Sequence, residues 1–204
     1  MKKVLCFGDS NTFGFIPESG KRYDKNTRWS GILAKLAAEK VEIIEAGCNN
    51  RTAFTDNPAG FEQTGYKVLP TLLKKDLDCV ILAIGVNDLQ FFYNPTLEEI
   101  KNGMQRLVDI VRACSPDAEI ILAAPARLDE NIFNGYFAAM FDKGSIEKSL
   151  HLAKIYEEIA AEKDCSFIDW DKIVKVSPKD GLHLEPDAHK KIAEKMLKIL
   201  YQIF

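Results

Sequence analysis

Val4-Leu5-Cys6-Phe7 runs directly into Gly8-Asp9-Ser10-Asn11. Four apolar residues in unbroken succession, closed by a turn-forming polar cluster, read as a strand with both faces covered rather than a half-solvated, alternating one. Four further runs repeat the pattern at residues 41–45, 79–84, 119–123 and 166–170. Val and Ile, whose branched side chains suit a pleated surface, are frequent in them. Helical periodicity fills the intervals, at 29–40, 96–114, 145–162 and 187–203. Thr96 with Glu99 makes a capping box at the start of the second helix, and Ser115-Pro116 stops it. A shorter helix at 65–75 contains Pro70, where a kink is expected. Strand–helix alternation from end to end specifies an α/β fold with a parallel sheet and right-handed crossovers.

The chain has 204 residues, which favours a single domain over 1–204. Such a chain buries enough surface to need neither disulfide nor metal for its core. The 27 basic and 30 acidic side chains leave a net charge of −3, without the basic excess of a nucleic-acid protein or of one held on acidic lipid. The longest strongly apolar run, 79–86, is far short of the ~20 residues of a membrane span. Only four apolar residues follow Met1-Lys2-Lys3, against ~7–15 in a secretion signal. The five cysteines are odd in number and form no C-x-x-C pair, as expected of structural thiols in a reducing compartment. A cytoplasmic protein without nucleic-acid or membrane partners is the expectation.

Open parallel sheets bind ligands beyond the carboxyl ends of their strands, so the polar residues following each strand are the candidates. Ser10 follows the first strand, Cys48-Asn49-Asn50-Arg51 the second, Asn87-Asp88 the third, and Asp180-Gly181-Leu182-His183 lies after the fifth. A serine hydroxyl becomes nucleophilic only when a base takes its proton. Of three histidines, His151 sits within a helical pattern and His189 at what reads as a solvated helix start, which leaves His183. Asp180, three residues before it, lies on the same side of a turn and can accept the Nδ1 proton. Asp9 and Asp88 are rival acids, read as loop hydrogen-bonding groups. The Asn87 side-chain amide and the backbone N–H groups of Ser10 and Asn50 are the candidate oxyanion donors.

These four clusters, in this order, resemble the SGNH or GDSL hydrolase family. The family's Gly-Asp-Ser-Leu stands here as Gly8-Asp9-Ser10-Asn11, Gly-x-Asn-Asp is intact at Gly85 to Asp88, and Asp-x-x-His at Asp180 to His183. Its oxyanion glycine falls at Asn50, whose backbone N–H still donates and which tolerates a left-handed backbone better than most residues. Gly47 to Pro58 looks closest to the bacterial arylesterase and acyltransferase branch. The resemblance implies a flavodoxin-like three-layer α/β/α sandwich with strand order 2-1-3-4-5. It also implies a Ser10–His183–Asp180 triad acting on a small-molecule acyl ester through an acyl-enzyme, with water or an alcohol as acceptor. No metal or organic cofactor is implied. Some members of that branch form oligomers, so a homo-oligomer is open.

Two other readings of the same pattern are a flavin-binding module, with a phosphate held by Ser10-Asn11-Thr12, and a non-catalytic binding protein. Neither accounts for Asp180-x-x-His183. Nucleotide hydrolysis lacks its glycine-rich motifs. The aromatic residues Phe13, Phe15, Trp29, Phe91, Phe92 and Phe133 are candidates for an acyl or aryl pocket. Two long stretches, 11–28 and 126–144, look loop-like; the aromatic-rich second reads equally as a packed helical excursion or as a pocket wall or lid, with a subunit contact also open.

Overall fold

A computed structural model describes residues 1–204. In chain order the elements are β1 (Lys2–Gly8), α1 (Ser10–Phe13), α2 (Trp29–Ala37), β2 (Val41–Gly47), α3 (Gly65–Leu72), β3 (Cys79–Ala83), α4 (Leu97–Cys114), β4 (Glu119–Ala124), α5 (Lys143–Ser149), α6 (Leu152–Glu162), β5 (Ser166–Asp169) and α7 (Pro186–Ile203). The five strands are parallel in the order β2-β1-β3-β4-β5, as the resemblance implies. Successive strand side chains point to opposite faces, and that alternation sorts the core into two halves. Leu5, Phe7, Val80, Leu82, Ile120 and Leu122 pack with α3, α4 and α6 on one face. Val4, Cys6, Cys79, Ile81, Ile121 and Ala123 pack with α2 and α7 on the other. The central strand β3 is therefore apolar throughout, and the functional polar groups follow the carboxyl ends of the strands. No helix is long and apolar enough to cross a membrane.

The chain enters that edge through a tight turn after β1. Asp9 is the extended N-cap of α1 and its carboxylate accepts from Asn11 N at 2.9 Å. Gly14 closes the turn in the left-handed region, at φ 87°. Gly8 has to lack a side chain, because a Cβ there would collide with Thr12 Oγ1 and the Ala83 carbonyl.

A second constraint holds the loop after β2. The buried Asp88 carboxylate accepts from Ala53 N at 2.6 Å, Phe54 N at 3.0 Å, and Thr55 N and Oγ1 at 2.9 Å each. Burial pushes its pKa up to about 6 against the pull of those donors. Asp9 and Asp88 are thus the loop-bonding acids the sequence suggested.

Three expectations are corrected. The helix expected at 145–162 is broken into α5 and α6. Ser149 Oγ donates to Ile146 O at 2.6 Å and accepts from Leu128 N, while Leu150 and His151 donate three residues back, to Glu147 and Lys148. That competition with the four-residue ladder tightens and interrupts the helix, leaving the exposed His151 at the junction. The helix expected at 65–75 ends at Leu72, two residues after Pro70, as Leu73 turns extended. His189 is not solvated. It lies on the inner face of α7 with Ala188, Ile192 and Ala193, fully buried, and its Nδ1 accepts from Trp29 N at 3.3 Å.

Two outcomes follow. Asp88→Asn places an N–H₂ against at least one backbone donor and is expected to cost about 1–3 kcal/mol in urea unfolding at pH 7. Burial, with a smaller contribution from neighbouring His183, pushes the His189 pKa down to about 4. An unfolded histidine titrates near about 6.5, so between these values the unfolded chain binds a proton the folded chain refuses. Stability from this group is complete above the upper value and is lost as pH falls toward the lower, about 3 kcal/mol in all. His189→Gln is expected to lose less stability than the parent between pH 7 and 4.5, measured by denaturant titration.

Candidate active site

Ser10, His183 and Asp180, read from the sequence as a set, meet in space. Ser10 Oγ lies 2.9 Å from His183 Nε2, and His183 Nδ1 lies 2.8 Å from Asp180 Oδ2. All three are buried in the wall of one cavity edge, with Ser10 and His183 reaching the cavity itself. Asp180 Oδ1 accepts from the backbone N–H groups of Leu182 at 3.1 Å and His183 at 3.0 Å, which fixes the carboxylate. Burial raises its pKa, but the His183 hydrogen bond and charge and those two N–H donors outweigh it, so the group sits below the ordinary carboxylate range. The loop that carries His183 is tied to the β1 turn by Asn11 Nδ2, which donates to Leu182 O at 3.3 Å. Its base is closed by Ser177 N donating to His183 O at 2.6 Å.

Aromatic rings enclose the imidazole. Phe15 stacks on it with centroids 4.2 Å apart, and Phe137 approaches at 5.1 Å, tilted 56°. Both exclude water from the imidazole–carboxylate bond, where a lower local dielectric strengthens it.

The same cavity holds two amides. Asn50 has φ 57°, the left-handed conformation that asparagine tolerates, and its carbonyl accepts from Asn57 Nδ2 at 2.7 Å. Asn87 Nδ2 donates to Arg51 O at 3.0 Å. Arg51 is itself buried, donating from Nη1 to Ala46 O at 2.6 Å and Gly8 O at 3.2 Å, and so binds the ends of β1 and β2 together. Asn50, Asn87, Ser10 and His183 all line one cavity of about 440 Å³. Its remaining wall comes from the two long loops: Phe15, Glu18, Ser19 and Gly20 from the first, and Tyr136, Phe137, Met140 and Phe141 from the second.

Of the aromatic residues proposed for a pocket, Phe15 alone lines this cavity. Trp29 is core, edge-on to Trp170 at 5.6 Å. Phe13 lies beneath the Arg22 guanidinium, Phe133 packs on the core, and Phe91 and Phe92 are exposed against each other. Sequence reasoning missed Gln90, and it placed Arg51 among the candidates without giving it a role. Gln90 is fully buried between Asn50 and Asn87, and its signal was its place three residues after Asn87 in a tight turn.

The profile of the GDSL-like Lipase/Acylhydrolase family matches residues 6–191. Est24, a carbohydrate acetylesterase from Sinorhizobium meliloti, is 30% identical with a TM-score of 0.92, and the match covers all of both chains. The M. smegmatis aryl esterase is 27% identical with a TM-score of 0.91, again over the whole of both chains. The GDSL esterase/lipase At5g45920 of Arabidopsis thaliana is 25% identical over 222 residues, 98% of this chain and 86% of that protein. The chain belongs to the GDSL-like lipase/acylhydrolase family and is a carboxylic ester hydrolase of that family.

Proposed function

We propose that the protein removes short acyl groups from carboxylic esters through an acyl-enzyme on Ser10. The observation that carries this reading is the unbroken hydrogen-bond chain from Ser10 Oγ through His183 to Asp180, opening on a cavity that Asn50 and Asn87 also line.

In the first step His183 Nε2 takes the Ser10 proton as Oγ bonds to the ester carbonyl carbon. The carbonyl π pair moves onto oxygen, and that oxyanion is met by Ser10 N–H, Asn50 N–H and Asn87 Nδ2. Asp180 stabilises the imidazolium without taking its proton. Collapse of the intermediate breaks the bond to the leaving alcohol, which receives the proton from His183. Water then repeats the sequence on the acyl-enzyme and releases the acid. An alcohol entering in place of water would give a new ester instead. The cavity volume suits a small ester, and its aromatic wall suits an apolar acyl or aryl group.

A second substrate class, acetylated carbohydrate, is favoured by the polar rim of Glu18, Ser19, Gly20 and Asn49 and by likeness to the S. meliloti enzyme.

Ser10→Ala is expected to lower turnover of 4-nitrophenyl acetate by about 10⁴-fold or more, with an unchanged circular dichroism spectrum. Asp180→Asn is expected to lose about 10⁴-fold, because the wrong tautomer of His183 is then favoured. An aryl phosphonate should label Ser10, read by peptide mass spectrometry. Wild-type turnover in Ser10→Ala, or label on Cys48 instead, removes Ser10 from the role.

A further inference from the structure

Gln90 Nε2 donates to Asn50 Oδ1 at 2.8 Å and to Asn87 Oδ1 at 3.2 Å. Its own Oε1 is buried and meets no donor. The side chain is therefore held by its two N–H bonds, and both end on residues that line the cavity with Ser10.

The direction of this chain of amides is set at one end by an atom that can only accept. The Arg51 carbonyl receives Asn87 Nδ2 at 3.0 Å. Asn87 Oδ1 must then face the other way, toward Gln90, which has to answer with Nε2. The second hydrogen of the same Nε2 meets Asn50 and selects its Oδ1. Reversing Asn87 would set oxygen against oxygen at Arg51, reversing Gln90 would set its Oε1 against two amide oxygens, and reversing Asn50 would set N–H against N–H at Gln90. In this direction Asn50 Nδ2 is left without a protein acceptor, on a residue that lines the cavity.

We infer that Gln90 is a positioning residue that sets the amide direction of Asn50 and braces Asn87, whose direction Arg51 fixes, so that Asn50 Nδ2 and the second hydrogen of Asn87 Nδ2 stay available to the substrate oxygen. It touches no reacting atom itself. The inference rests on the Ser10 acyl-enzyme reading and deepens it. Asn50 replaces the glycine of the resembling motif with a side chain, and Gln90 is the group that keeps this side chain from turning an oxygen toward a developing negative charge.

Two variants of the full chain test it. Gln90→Glu presents only oxygen to two oxygens, so it should reverse the Asn50 amide and push Asn87 Oδ1 away while Arg51 O still holds Asn87 Nδ2. Gln90→Met keeps length and apolar bulk without donating. Each is assayed with 4-nitrophenyl acetate for kcat and KM, with phenylboronic acid as an inhibitor that forms a tetrahedral adduct, and by thermal melting. Both variants should lose about 10–100-fold in kcat with KM within about threefold of the parent, and boronate affinity should fall in parallel. Gln90→Glu should lose more than Gln90→Met. Should the charged variant fail to fold, Gln90→Met decides alone. A lower melting temperature with parental kcat and boronate affinity in Gln90→Met makes the residue merely structural and overturns the inference. Ser10→Ala is measured alongside: parental activity there overturns both readings, whereas its loss together with unchanged kcat in the Gln90 variants overturns this one alone.

Discussion

A parallel sheet covered on both faces leaves one place for polar chemistry. The apolar residues of every strand are committed to one of two clusters, and the strands all end at the same edge. The residues just past those ends, Ser10 after β1, Asn50 after β2 and Asn87 after β3, are brought together by that shared direction. Their separation is set by the spacing between adjacent strands of roughly 4.8 Å, with β1 lying between β2 and β3. Chain order is irrelevant to this convergence. His183 bonds to a serine 173 positions away because both sit on the same rim.

Holding polar side chains in place at a rim requires that their backbones be fixed without a strand ladder. The structure does this with buried side chains that reach into loops. Asp88 collects three consecutive backbone N–H groups, Arg51 joins the ends of β1 and β2, and Asp180 uses one oxygen for its own loop and the other for His183. These groups are charged and enclosed, an arrangement that persists because nearly every lone pair and hydrogen is matched.

The sheet was legible in the sequence because burial on both faces leaves a continuous apolar signal, and the strand order followed from the motif resemblance rather than from periodicity. Ser10, Asn87, Asp180 and His183 were legible from their position after strands. The misreadings have local causes. His189 sits among Asp187, Lys190 and Lys191, so its neighbours in sequence are polar while its neighbours in space are Trp29 and Tyr23. The break after Ser149 depends on a hydroxyl bonding backward, which no periodicity encodes. The cavity wall was only half legible: an aromatic-rich segment announces an apolar surface, but which of its rings faces inward depends on two 3-10 turns, at Glu130–Asn134 and Tyr136–Ala139. Gln90 was signalled only by its spacing from Asn87, since its role exists only relative to Asn50 in another loop.

The grip of Asp88 on three successive amides has a bearing on how such an enzyme can diverge. Residues 53 to 55 cannot gain or lose a position without breaking the register of those donors, so this segment is closed to insertion. The segments around 15–20 and 130–141 carry no comparable staple and supply most of the cavity wall. New substrate preferences would therefore arise by lengthening or reshaping those two segments, while the segment at 53–55 stays constant in length.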